Sequence, residues 1–141
     1  MQYYLYIVQV LSIAAAIAMA KHDAPAVIHF ENKGVDPLTM SKFHRYNVWT
    51  KSVFCILCAV AGGPVFLDMF YPGILSALWI YLLFDPVLNK NRPGRGWDYL
   101  GTNDADGRRW IKWFGDNAGE FKAAILLLLI IGINVTILLT D

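Results

Sequence analysis

Charge is what this sequence has least of. Of its 141 residues, 16% are Asp, Glu, Lys or Arg, against roughly 25% in an ordinary soluble domain. Hydrophobic residues make up 57% of the chain and its mean hydropathy is +0.44. No basic residue precedes Lys21, and no charged residue lies between Ala123 and Thr140. A net charge of +1 with no continuous basic run argues against a nucleic-acid-binding module, which needs a cationic stripe along the backbone it reads. Cysteine is nearly missing too. Cys55 and Cys58 are the only two; they share a helix face at i, i+3 inside an apolar run, where a disulfide fits poorly and two thiols make no zinc site. They read as packing residues.

Several sequence signatures of catalysis are also absent. There is no nucleophile elbow, no zinc signature and no carboxylate pair at a recognised spacing. Asn91-Arg92-Pro93-Gly94-Arg95-Gly96 is glycine-rich and basic but lacks the lysine and hydroxyl of a phosphate-binding P-loop. Asn103-Asp104-Ala105-Asp106-Gly107 has the look of a calcium loop; aligned on Gly107, however, the twelfth position is Trp113, where a carboxylate is required. No cofactor is expected from these motifs.

Long apolar runs are what the chain does have. At this length it is one domain, 1–141, and the reading is an all-α integral membrane protein. Four transmembrane helices are expected at about 2–20, 48–67, 70–88 and 123–140, since roughly 20 apolar residues cross a bilayer. The first run ends in Ala18-Met19-Ala20, which looks like a signal-peptide cleavage site. With nothing basic before it, and with Tyr3, Tyr4 and Tyr6 placed like an interfacial belt, it reads as a retained span. Gln9 lies within that span and is expected to face another helix. Gly62-Gly63-Pro64 should kink the second span, and Asp68 to Gly73 should form a tight turn before the third.

The polar connections are 21–47 and 89–122. The first holds His22, His29 and His44 with two proline breakers, Pro25 and Pro37, and its Ala26–Phe30 segment reads as a short extended or interfacial piece. The second carries Trp110, Trp113, Phe114 and Phe121 at helical spacing among Arg108, Arg109 and Lys112, which predicts an amphipathic interfacial helix over 108–122. Counting Lys51, at the start of the second run, with the first connection, five Lys and Arg residues fall between the apolar parts of spans one and two, seven between spans three and four, and none elsewhere. The positive-inside rule then puts both connections in the cytoplasm and both termini on the other side.

The candidate site residues gather on that cytoplasmic face. Asp85-Pro86 ends the third apolar run, and an ionisable residue at such depth is a functional candidate by default. Asp85 is expected to end the helix as a hydrated group, or to pair with Arg45, Arg92 or Arg95. Asp85, Asp98 and His44 are the residues a lipid-phosphate enzyme would use. Asp98, Asp104 and Asp106 are the candidate ligands of a divalent ion. Arg92, Arg95, Arg108, Arg109, Trp110, Lys112 and Trp113 are the candidate contacts to lipid headgroups.

The run Leu83-Phe84-Asp85-Pro86-Val87-Leu88-Asn89, with Arg92 to Gly96 and Tyr99-Leu100-Gly101 after it, resembles small integral membrane proteins of phage and prophage type. The resemblance covers about a fifth of the chain and implies origin rather than mechanism. The leading functional expectation is a membrane protein acting by assembly, as a homo-oligomer or an accessory subunit of a larger complex, with membrane lipids as its other partner. The alternatives are a membrane-embedded enzyme on lipid or isoprenoid phosphates and a holin-like pore former.

Overall fold

The computed structural model describes residues 2–34, 37–62, 66–100 and 105–140. The elements among the described residues are all helical, with no strand: α1 (Gln2–Lys33), α2 (Pro37–Ala61), α3 (Phe66–Lys90), α4 (Ala105–Phe114), a 3₁₀ turn at Gly115–Asn117, and α5 (Ala118–Thr140). Three segments are long and apolar enough to cross a membrane: Tyr3–Lys33, Met69–Lys90 and Asp106–Thr140. The chain has an inside-out character. Trp49, Ile56, Leu57, Leu128 and Leu139 are exposed, while Ser12, Ser76, Gln9, Asp23, Asn89 and Lys122 are buried. Water would penalise so much uncovered apolar surface, and a bilayer does not.

Helix α3 sits at the centre, packed against α1, α2 and α5. It runs parallel to α1, because Ser12 meets Ser76 at one level and Glu31 meets Arg92 at another. Helix α5 runs the opposite way, with Asn134 beside Gln9 and Lys122 beside Asp85. Small residues explain the close fit of α1. Ser12, Ala16, Ala20 and Ala24 recur every fourth residue, one face of a helix, and all are buried. Ala20 and Ala24 pack on Phe84 and Leu88 of α3; near the other end Leu5, Leu75, Ile130 and Ile137 form a second apolar cluster. Gln9 finds its partner as expected: its amide donates to Asn134 Oδ1 at 2.9 Å and accepts from Trp79 Nε1 at 3.0 Å.

The prolines act differently from their sequence reading. Helix α1 continues through Pro25 to Lys33, so the segment expected as a polar connection, Ala26–Phe30 included, is helix. Helix α3 continues through both Pro72 and Pro86, so neither the turn over Asp68–Gly73 nor a helix end at Asp85-Pro86 is formed. A proline inside a helix costs about 3 kcal/mol in isolation. Packing offsets this here: Ala24 and Val27 flank Pro25 against α3, and Pro72 is fully buried. Gly73, expected in the turn, instead lets α2 approach, since a Cβ there would stand 3.1 Å from Ala59 Cβ. Helix α1 does stop where glycine allows it. Gly34, at φ +63°, takes the left-handed conformation of a helix C-terminus. Gly62 ends α2, and the Gly63-Pro64 part of the expected kink lies outside the described residues.

The expected interfacial helix over 108–122 is divided. Helix α4 stops at Phe114, Gly115 reverses the backbone at φ +61°, and Phe121 and Lys122 belong to α5. Ring stacking fills this corner: Trp110 lies on Phe114, with centroids 5.6 Å apart, and Phe114 lies on Phe121 at 4.9 Å.

Candidate functional site

Where α3, α4 and α5 meet, one ammonium group joins all three. Tyr81 and Asp85 are four residues apart on α3 and share a face, as Asp106 and Trp110 do on α4. Lys122 enters between them from the second turn of α5. Its Nζ donates to Asp85 Oδ2 at 2.7 Å and to Asp106 Oδ2 at 3.3 Å, and lies 3.9 Å from the centroid of the Tyr81 ring. Trp110 Nε1 donates to the Tyr81 hydroxyl at 3.4 Å, and that hydroxyl is in turn bonded to Asp106. The Lys122 side chain is 5% exposed. A buried ammonium needs a counter-charge and hydrogen-bond acceptors, and two carboxylates and a ring face supply both.

The segment 91–100 folds down beside this cluster and is held by α1 and α3. Asn89, buried at the end of α3, donates from Nδ2 to the carbonyl oxygens of Tyr99 at 2.7 Å and Trp97 at 3.4 Å. Its Oδ1 accepts from Arg92 Nη1 at 2.8 Å. Arg92 is also bonded to Glu31 through both Nε and Nη2, a two-point contact of the kind a planar guanidinium favours. Arg95 joins the same carboxylate at 3.4 Å and stacks over Tyr99, its guanidinium 4.2 Å from the ring centroid. Gly119 opens the way for this segment: a Cβ there would stand 1.8 Å from the Asp98 carbonyl oxygen. Hence the backbone of Asp98 rests directly on the first turn of α5.

Between segment and cluster lies a crevice lined by Asp85, Asp98, Trp97, Tyr99, Gly119 and Lys122. Its volume is about 10 Å³, at the limit of what a single water molecule needs. Asp85 therefore has neither of its expected roles. It does not end α3, and its ion-pair partner is Lys122 rather than Arg45, Arg92 or Arg95.

The other expected site residues are dispersed. Asp98 lines the crevice with Asp85. His44 lies on α2 with its side chain outside the described residues, as Asp104 is altogether. Asp106 is joined to Lys122, and among the described residues no three His, Cys, Asp or Glu side chains gather as a metal site. Of the headgroup candidates, Arg92 turns inward, its side chain 9% exposed, and Trp110 is half-buried against Tyr81. Arg95, Arg108, Arg109, Lys112 and Trp113 are exposed.

Sequence reasoning passed over Lys122, Glu31, Tyr81 and Asn89. One signal pointed to Lys122: it is the last charge before an 18-residue uncharged run, counted Ala123 to Thr140, where a lysine either reaches out to the interface or needs a partner within. The other three are visible only once α1, α3 and α5 are side by side. No protein-family model, no curated protein and no solved structure matches this chain.

Proposed function

We propose that the chain is a four-span membrane protein that works by self-assembly, with α2 as both the fourth span and the seam between copies. The observation that carries this is the outer face of α2. Tyr46, Trp49, Val53, Ile56 and Val60 are all exposed, and they follow one another at steps of three, four, three and four residues. That alternation is the repeat by which one helix packs along another. The ion pairs at the far end support the same reading: Lys122 is engaged with Asp85 and Asp106, and Arg92 with Glu31. The crevice beside Asp85 and Asp98 has room for about one water molecule and none for a phosphate headgroup. An enzyme on lipid phosphates ranks second, supported by those two aspartates sharing a crevice.

In this arrangement Lys33, the 91–100 segment and α4 lie on the cytoplasmic side, where all twelve basic residues are gathered, and Tyr3 and Thr140 lie opposite. Helix α1, at 32 residues, is about 48 Å long and extends beyond a hydrocarbon core of about 30 Å. Its last three turns therefore stand in the cytoplasmic headgroup layer and beyond.

Cysteine crosslinking in native membranes tests the seam, with Cys55 and Cys58 first replaced by alanine. Single cysteines at Trp49, Val53 and Ile56 should give dimers on oxidation, and one at Leu128 on α5 should not. Equal crosslinking at all four positions, or at none, would sink the proposed seam. Sidedness is read separately with a membrane-impermeant thiol reagent on intact cells, where Tyr3→Cys should label and Lys33→Cys should not.

A further inference from the structure

Away from the Lys122 cluster, a second acidic side chain is buried with a different set of neighbours. Asp23 on α1 is 6% exposed and faces α2. Its Oδ2 accepts from Asn47 Nδ2 and its Oδ1 lies 3.1 Å from His22 Nδ1. Among the described ion pairs its partner is His22 alone, a group that is cationic only when protonated. Every other carboxylate in those pairs is matched to lysine or arginine: Glu31 to Arg92 and Arg95, Asp85 and Asp106 to Lys122.

Asp23 also has space beside it. The cleft between α1 and α2, open on its outer side and lined by Met19, His22, Asp23, Tyr46, Asn47 and Thr50, has a volume of about 270 Å³. One water needs roughly 10–15 Å³ by that measure, so this is room for a group of several heavy atoms. The lining is mixed. Met19 gives it an apolar wall, and a carboxylate, an amide, an imidazole and two hydroxyl-bearing side chains face the same space.

We propose that this cleft binds a primary ammonium group, with Asp23 as its counter-ion, and that the source in the cell is the ethanolamine headgroup of a phospholipid. A buried carboxylate whose described ion pair is to a histidine is stabilised by any further cation that can reach it. An ammonium suits it better than a bare metal ion, because a hard divalent ion takes six or more oxygen ligands and this cleft gathers few anionic ones. A primary ammonium suits it better than a trimethylammonium, which has no N–H to donate to the carboxylate. The lipid source rests on the four-span reading, which puts Lys21, and so the cleft beside it, at headgroup depth. The ammonium chemistry does not depend on that reading.

The test uses the full-length protein in detergent micelles. Native mass spectrometry after addition of equal amounts of phosphatidylethanolamine and phosphatidylcholine should show the former retained at least tenfold over the latter. Asp23→Asn, which keeps the shape and removes the charge, should abolish that preference. Thr50→Lys places a tethered ammonium in the cleft and should abolish it too; because it adds a counter-ion, it keeps the test valid if Asp23→Asn misfolds. Free ethanolamine at millimolar concentration, with no lipid present, should raise the Tm of the wild type and leave Thr50→Lys unchanged. A Tm response to ethanolamine without lipid preference would retain the ammonium site and overturn its lipid source, and with it the headgroup depth assigned here. Equal retention of both lipids together with no response to ethanolamine would overturn the site itself.

Discussion

Lys122 and Asp23 are both buried ionisable groups in a chain with few of them, and the molecule treats them in opposite ways. Lys122 is surrounded: two carboxylates and a ring face close around its ammonium, and the crevice beside it has space for about one water molecule. Asp23 has an amide and an imidazole on one side and about 270 Å³ of cleft on the other. A buried charge fully matched by its own chain serves to hold helices together. One matched only by neutral or weakly basic groups is left with capacity for something else. The lesson is that burial of a charge does not by itself mark a site, and the inventory of counter-charges and free space around it separates a clamp from a receptor.

The comparison is most exposed at Asp85. Asp85→Asn leaves the buried Lys122 ammonium with Asp106 as its one remaining carboxylate; the Asp85 side chain is itself 36% exposed, so solvent screens part of the loss, which should be about 2–3 kcal/mol. Thermal unfolding in detergent should show that loss, and the double variant Asp85→Asn with Lys122→Gln should recover most of it. Equal losses in single and double variants would mean the pair is not what joins α3 to α5. Gly119→Ala comes next. Its methyl group would collide with the Asp98 backbone rather than with a flexible side chain, so the 91–100 segment must lift from α5. Overpacking of this kind costs about 1–3 kcal/mol. Amide exchange should rise over 95–100 and stay unchanged around Ser12 and Ser76.

Glu31→Gln should do less. Glu31 is itself about a third exposed, and Arg92, though turned inward, keeps the Asn89 side-chain oxygen as an acceptor, so the loss should be about 1 kcal/mol. Stability should change little, while amide exchange around Arg92 and Arg95 quickens. Asp23→Asn should cost less stability than Asp85→Asn, about 1 kcal/mol, since it weakens the hydrogen bond from Asn47 and removes no described partner of a lysine or arginine. A loss as large as that of Asp85→Asn would collapse the distinction drawn between the two groups.

Much of the architecture was readable from residue order. The stripe Ser12, Ala16, Ala20, Ala24 marks the face by which α1 meets α3, because small side chains at every fourth position let two backbones approach. Gln9 announced a partner in another helix, because an amide in an apolar run cannot stay unbonded. The uncharged run from Ala123 to Thr140 is a helix for the same reason that makes it apolar, since its backbone groups must be satisfied within the segment.

What residue order left open, tertiary contacts decided. Pro25, Pro72 and Pro86 read as breaks, because proline's local cost is visible in sequence and the packing that offsets it is not. Lys122 and Phe121 read as the tail of a surface helix, because the reversal at Gly115 depends on a ring stack that forms only when α4 folds back on α5. The partners of Asp85, Arg92 and Asp23 lie 37, 61 and 24 positions away in the chain. Sequence could say that each of these charges must be answered. Only the side-by-side placement of α1, α2, α3 and α5 determined which residue answers it, and which charge is answered in part.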